Sequence, residues 1–289
     1  MKRVIALIAS ITLSVIAIAQ ELYPSQPQEE KSYGVGEFKE ICVSDSFEVT
    51  LQEGRCAVKV NADKALIPYI LVYVRSGVLN IELDEKSVPS DVKRIYRGKN
   101  APVAIKRAIV TVPDLAGITG KDNAVIGSNG KVFSDSLQLT LTDKATARSL
   151  KIEAVSATLS MDKSCQADLV MECENRLDVH QEGRSRLKLQ YKGNVLTTRL
   201  GGSAEASLSG QADNFSFTTA RFSHLESLDL KATRVKAEMN SGSHAIVNAQ
   251  ELLNVKLSGG STLYYTGIPA IQIDEILRST FAPYENHDH

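Results

Sequence analysis

Any chemistry in this chain would have to come from its acids. Asp122, Asp143, Asp162 and Glu182 recur at steps of 21, 19 and 20 along the chain. Carboxylates stacked one strand apart could hold calcium against an acidic sugar, as a polysaccharide lyase or hydrolase would require. This acidic column is the candidate binding site. Lys121, Lys144, Lys163 and Arg184 sit beside it. Like charges stacked this closely repel, and interleaved bases offset that. The stronger expectation is therefore a solvated ladder of ion pairs at a corner.

The histidines offer less. His224 and His244 lie one such step apart and could stack on one face, as exposed turn residues or, less favoured, as a two-His metal site. His180 stands alone, and His287 and His289 belong to a polar tail. The sequence has no G-x-S-x-G, no H-E-x-x-H, no Walker loop and no G-x-G-x-x-G after a strand. The expectation is a non-enzyme with no catalytic residues and no cofactor. Four cysteines, Cys42, Cys56, Cys165 and Cys173, allow two local disulfides, Cys42–Cys56 and Cys165–Cys173, with buried free thiols as the alternative.

The elements that would position these groups show in the apolar pattern. Alternating segments are centred on Leu139, Leu159, Val179, Thr198, Phe217, Ala237 and Val255, at steps of 20, 20, 19, 19, 20 and 18. Two residues before each centre stands an apolar side chain. Six residues after it stand Ala145, Cys165, Ser185, Ala204, Ser223, Ser243 and Ser261, all small. Eight residues after it stand Ala147, Ala167, Leu187, Ala206, Leu225, Ala245 and Leu263. Period-two alternation means strands with one buried face. A unit of this size cannot bury that face alone, so units must stack. The expected fold is all-β, a right-handed parallel β-helix of about ten coils with a period of 18–22 residues. A column of small residues suits a tight corner, and nearby Gly, Ser and Asn tolerate positive φ there.

The rest of the chain divides around that stack. Lys2 and Arg3, the apolar run Val4–Ala19 and the triplet Ala17-Ile18-Ala19 read as a signal peptide over 1–19. Residues 20–35 read as a flexible leader and 36–117 as irregular N-terminal β coils, with 84–102 an inserted loop. The regular repeats occupy 118–269, since Ile118 lies one repeat before Leu139. Residues 270–289 read as a C-terminal cap and polar tail, with 274–281 either a short helix or a last strand. No second long apolar segment follows, so no integral membrane span is expected after cleavage. The net charge of -1 gives no field for nucleic acid, and the absence of Trp disfavours an aromatic sugar platform.

An ordered set of segments resembles a known family. Phe38-Lys-Glu-Ile-Cys-Val43 leads into Phe47-Glu-Val-Thr-Leu-Gln-Glu-Gly54, followed by Ala57-Val-Lys-Val60, Ser76-Gly-Val-Leu-Asn-Ile81, Val110-Thr-Val-Pro-Asp-Leu115 and Leu263-Tyr-Tyr-Thr-Gly-Ile-Pro269. Over roughly 36–269 the chain resembles the putative auto-transporter adhesin, head GIN domain family, a Bacteroidetes domain of unknown function. It departs where Asp-Lys and Gln-Glu-Gly turns replace the family's frequent Ser-Gly-Ser. The resemblance implies a β-helix, export to the periplasm, cell surface or medium, and an adhesive role. The expected function is a non-enzymatic binding module for an envelope, surface or polysaccharide ligand. The alternatives are a calcium-using lyase or hydrolase, and a structural or assembly component of the envelope.

Overall fold

The computed structural model describes residues 26–285. The signal peptide, the first part of the leader and the His287/His289 tail lie outside them. The fold is all-β, 65% strand and 3% helix, a β-solenoid of about 8 turns rather than the ten expected. The upstream strands are β1 (Gln28–Tyr33), β2 (Glu40–Val43), β3 (Glu48–Glu53), β4 (Ala57–Asp63), β5 (Ile70–Arg75) and β6 (Val78–Leu83). After helix α1 (Ser90–Ile95) come β7 (Lys106–Val112), β8 (Gly117–Gly120) and β9 (Val125–Ser128). The long repeat strands are β10 (Lys131–Leu141), β11 (Thr146–Met161), β12 (Gln166–Gln181), β13 (Arg186–Leu200), β14 (Glu205–Thr219), β15 (His224–Met239) and β16 (His244–Leu257). The stack ends with β17 (Thr262–Thr266), β18 (Ala270–Ile276) and β19 (Thr280–Pro283).

From β10 to β16 every neighbouring pair is parallel, with local register shifts in four of the six pairs. The register reproduces the sequence columns: Ile118 pairs with Leu139, Leu139 with Leu159, and Val179 with Thr198. The core column from Leu139 to Val255 is buried throughout, and so is the small corner column from Ala145 to Ser261. Each strand is long because alternate side chains enter one continuous core, while the outward ones remain solvated. The corner residues are small because the chain reverses there against the coil below.

The upstream strands interleave instead of following chain order. β2 lies between β6 and β8, and β3 between β7 and β9, all parallel. β4 then runs antiparallel to β7, β1 antiparallel to β4, and β5 antiparallel to β6. These antiparallel strands cover the N-terminal end of the stack, burying Val58, Val60, Ile67, Ile70 and Leu79. Part of the expected flexible leader is therefore strand β1. The inserted loop is tied down as well. Val88 is buried, and the Tyr96 hydroxyl donates to Asp63 at 3.0 Å. At the other end, β18 and β19 form a last partial coil rather than a helix.

Candidate functional site

The tight turns carry the predicted acids, and the turns decide where those acids point. Each turn has three positions between the last buried core residue and the buried small residue. Asp162 N–H donates to Leu141 O, which places Asp162 above Thr142. Ser164 N–H donates to Asp143 O, which places Lys163 above Asp143. The four acids therefore do not form one column. Asp122 and Asp143 take the second turn position, both at positive φ (51° and 63°), whereas Asp162 and Glu182 take the first. The core steps by 20 between Leu139 and Leu159, and the acids step by 19 between Asp143 and Asp162. That one-residue slip moves a lysine into the acid column.

Three of the four carboxylates then find a nearby donor. Asp143 accepts from Lys163 Nζ and from Thr142 Oγ1. Lys163 and Thr142 together hold its carboxyl below the ordinary carboxylate range. Asp162 accepts from the Lys163 backbone N–H at 2.7 Å. Glu182 reaches across two turns: one Arg221 nitrogen lies 2.8 and 2.7 Å from its two oxygens. Gly201 makes room for that pair, since a Cβ there would collide with Glu182 Oε1. Interleaved cations weaken such a set as a calcium site, because calcium prefers several converging anionic oxygens. Among the described residues, no group of three or more His, Cys, Asp or Glu side chains could share a metal ion.

The two possible disulfides are not formed, and all four cysteines are free. Cys165 ends a turn, and Cys173 lies eight residues further along extended β12. That separation is about 26 Å at strand rise, far beyond the reach of a disulfide. Cys165 and Cys173 are buried, and burial pushes the Cys173 thiol up to about 11. Cys42 sits on β2, paired with Asn80 and Thr119, and Cys56 precedes β4 on the capping layer.

Three features lay wholly or partly beyond sequence reasoning. The first is Phe222, which stands in a turn at φ 65° and is 77% exposed. Where other turns take left-handed backbone at that position they place Asn123, Gly242 or Gly260. Arg221 and Phe222 both have positive φ, and the Phe222 N–H donates forward to Ser241 O instead of back to the preceding coil. A Cβ on Gly242 would lie 3.0 Å from the Phe222 ring, so that glycine gives the ring its seat. The second is an open groove of about 850 Å³ lined by Asp114, Asp135, Glu153, Glu172, Glu174 and Asp213. There Glu153 pairs in register with Glu172 and Glu172 with Lys192, and Lys131 bridges both acids at 2.7 and 3.2 Å. The third is a ring ladder in which His224 stacks on His244, Tyr264 tilts against His244, and Tyr284 meets Tyr264 edge-on. Of this ladder the two histidines were expected from their period, and the tyrosines were not, because they shift two residues in register.

A parallel β-solenoid closed at its N-terminal end by antiparallel strands is the class of fold that these observations define. The chain belongs to the family described as Putative auto-transporter adhesin, head GIN domain, which matches residues 37–269. No curated protein matches the chain. Among solved structures it is similar to a putative adhesin from Parabacteroides merdae ATCC 43184, with TM-score 0.61 and 13% identity over 91% of this chain and 98% of that one. A putative adhesin from Parabacteroides distasonis ATCC 8503 gives TM-score 0.61 and 16% identity over 90% and 98%. A putative lipid binding protein from the same organism gives TM-score 0.59 and 16% identity over 89% and 97%. At these identities the likeness speaks for the fold.

Proposed function

We propose that the protein is an exported, non-enzymatic adhesion-type module of the cell envelope or surface, which grips its ligand along the ridge of tight turns. One observation carries this reading. Phe222 is a bulky residue in left-handed backbone, which costs roughly 1–3 kcal/mol, and its ring is left in water as well. A stack that needed only a turn would place Gly, Ser or Asn there, as its neighbours do. Strain combined with exposure speaks for contact with something outside the fold. The Glu182–Arg221 pair beside the ring adds charged hydrogen-bonding groups to the same ridge. The N-terminal Lys2-Arg3, the apolar run and Ala17-Ile18-Ala19 support export. Among the described residues, no helix is long and apolar enough to cross a membrane.

The lyase or hydrolase reading has less support, because the acids it needs are split between two turn positions and three of the four are hydrogen-bonded where they stand. The lipid-binding name of one structural neighbour also has less support here, because the acid-lined groove would repel phosphate head groups and fatty carboxylates. A glycan array and a panel of purified surface polysaccharides, probed with the wild type and with Phe222→Asn, test the proposal. Asn tolerates the left-handed turn, so the variant should keep or raise Tm while ligand binding weakens about tenfold or more. Binding that survives the substitution unchanged would rule out the ridge as the ligand site.

A further inference from the structure

The ridge of tight turns is built in two halves. The turns 142–144, 162–164 and 182–184 carry Asp143, Lys144, Asp162, Lys163, Glu182 and Arg184. The next four turns, 201–203, 220–222, 240–242 and 258–260, hold one charged side chain between them, Arg221. Its charge is met by Glu182, which reaches across Gly201 from two turns before. Phe222 stands in this second half and is its one large apolar side chain. An edge of its ring rests over Gly242, and a Cβ at Gly260, one turn further on, would meet nothing within 4 Å. Three steps of strand spacing separate the four turns, about 14 Å. A ligand lying along them must touch the ring.

The backbone bonding of the turns reverses at the same place. In five successive turns the third residue donates its N–H to the second residue of a neighbouring turn. Ser164, Arg184 and Ser203 donate back, to the carbonyls of Asp143, Lys163 and Gly183. Phe222 and Gly242 donate forward, to those of Ser241 and Gly259. The carbonyls on either side of the reversal, Gly202 O and Arg221 O, therefore receive neither bond. Among the described residues no other group donates to them. Two bare acceptors thus flank an open aromatic ring, beside a carboxylate and a guanidinium that already compensate each other.

We infer that the ligand of this ridge is a neutral saccharide lying across the Phe222 turn, a conclusion that rests on the ridge being the ligand site and gives that ligand a chemical class. A ring of hydroxyls fits each part. Its C–H face covers the apolar ring of Phe222. Its hydroxyls donate to Gly202 O and Arg221 O, and others bond to the outer atoms of the Glu182–Arg221 pair without parting it. A charged ligand gains little. An acid would have to take Arg221 from Glu182 and leave that carboxylate unpaired, and an ammonium would do the reverse. Arg184, the nearest other charged residue on the ridge, lies two turns, about 10 Å, before the Phe222 turn.

Affinity electrophoresis of the chain from Gln20 onward, which keeps every described residue, tests this. The gels hold a neutral glucan, mannan or galactan, or polygalacturonate, or glycol chitosan. At least one neutral polymer should retard the chain, to the same extent at about 20 and 500 mM NaCl, since no ion pair with the ligand is at stake. Phe222→Asn should weaken that binding about tenfold. Glu182→Gln should keep Tm, because an exposed ion pair contributes little. It should weaken the neutral polymer several-fold and, with Arg221 uncovered, let polygalacturonate retard the variant more than the wild type. The two ways to fail differ. Retardation by polygalacturonate or glycol chitosan alone, lost in Phe222→Asn, would overturn the neutral saccharide and leave the ridge as the ligand site. Neutral-polymer binding indifferent to Phe222→Asn would overturn the ridge itself. No retardation by any neutral polymer would also overturn the inference.

Discussion

The imidazole rings of His224 and His244 stack with centroids 4.8 Å apart and planes within 9°. Their backbones are direct partners in the parallel register. The faces of the two rings are used against each other, so the pair turns its edges outward and offers no flat platform to a sugar. His244 Nδ1 is buried without a hydrogen-bond partner. The groups facing it are His224 and Glu226 on β15 and Thr262 and Tyr264 on β17, with Glu205 one coil further on.

Stability should fall as the pH drops through the histidine range. Burial, and then the charge of His224, hold the His244 pKa below its ordinary 6.5. Above that value both folded and unfolded chains leave His244 neutral, so it contributes nothing to the pH dependence. Below it the unfolded chain takes up a proton that the fold resists, and stability is lost until His244 protonates in place. Urea midpoints should therefore drop between about pH 7 and pH 5.5, before most carboxylates titrate. His244→Phe keeps a ring in the stack and should flatten that slope. An equal slope in the variant would place the effect elsewhere.

Much of the stack was legible because a nearly constant step leaves columns that simple counting finds. Leu139, Leu159 and Val179 align in the structure as they do on paper. The acidic column failed for a reason also present in the sequence: the acids step by 19 where the core steps by 20, so Lys163, not Asp162, lies above Asp143. The order of the first coils was not legible. Inserting β2 and β3 between later strands leaves no period, because the pairing is not consecutive. Phe222 was hidden for a different reason. Its signal is backbone strain, and composition does not carry strain. The C-terminal isoleucines lay in a segment read as a cap, with helix and strand both open, and the structure places them on an exposed strand.

Removing the Asp143 carboxylate should do little. Its partner Lys163 is exposed, and surface ion pairs of this kind are weak. Asp143→Asn should leave Tm almost unchanged, and the difference should vanish at high salt. Calcium at millimolar level should shift Tm in neither protein. A clear calcium-dependent rise in the wild type, abolished in the variant, would restore the metal reading that the turn geometry disfavours.

The thiols should react with a reagent in two classes. Cys42 and Cys56 are half-buried, whereas Cys165 and Cys173 are fully buried. A thiol-specific dye should label the first pair in native protein and the second only after denaturation, because the thiolate is the reactive form and burial raises the Cys173 pKa. All four should label in denaturant without a reductant. A shortfall of two thiols there would show that a disulfide forms after all.

The last prediction separates steric closeness from backbone strain at two glycines. Gly210 has φ 105°, and a Cβ there would collide with Tyr191 O in the coil below. Gly260 has φ 79°, and a Cβ there would meet nothing within 4 Å. Alanine at Gly260 should cost only the left-handed penalty, about 1 kcal/mol. Alanine at Gly210 must also push two stacked strands apart, breaking ladder hydrogen bonds and opening the core beside buried Tyr191. Its cost should be several-fold larger, on the order of 3 kcal/mol or more. Chemical denaturation of the two single variants gives both values. Equal costs would mean that the coils can separate locally without loss, and the solenoid would then be far less rigid than its continuous core implies.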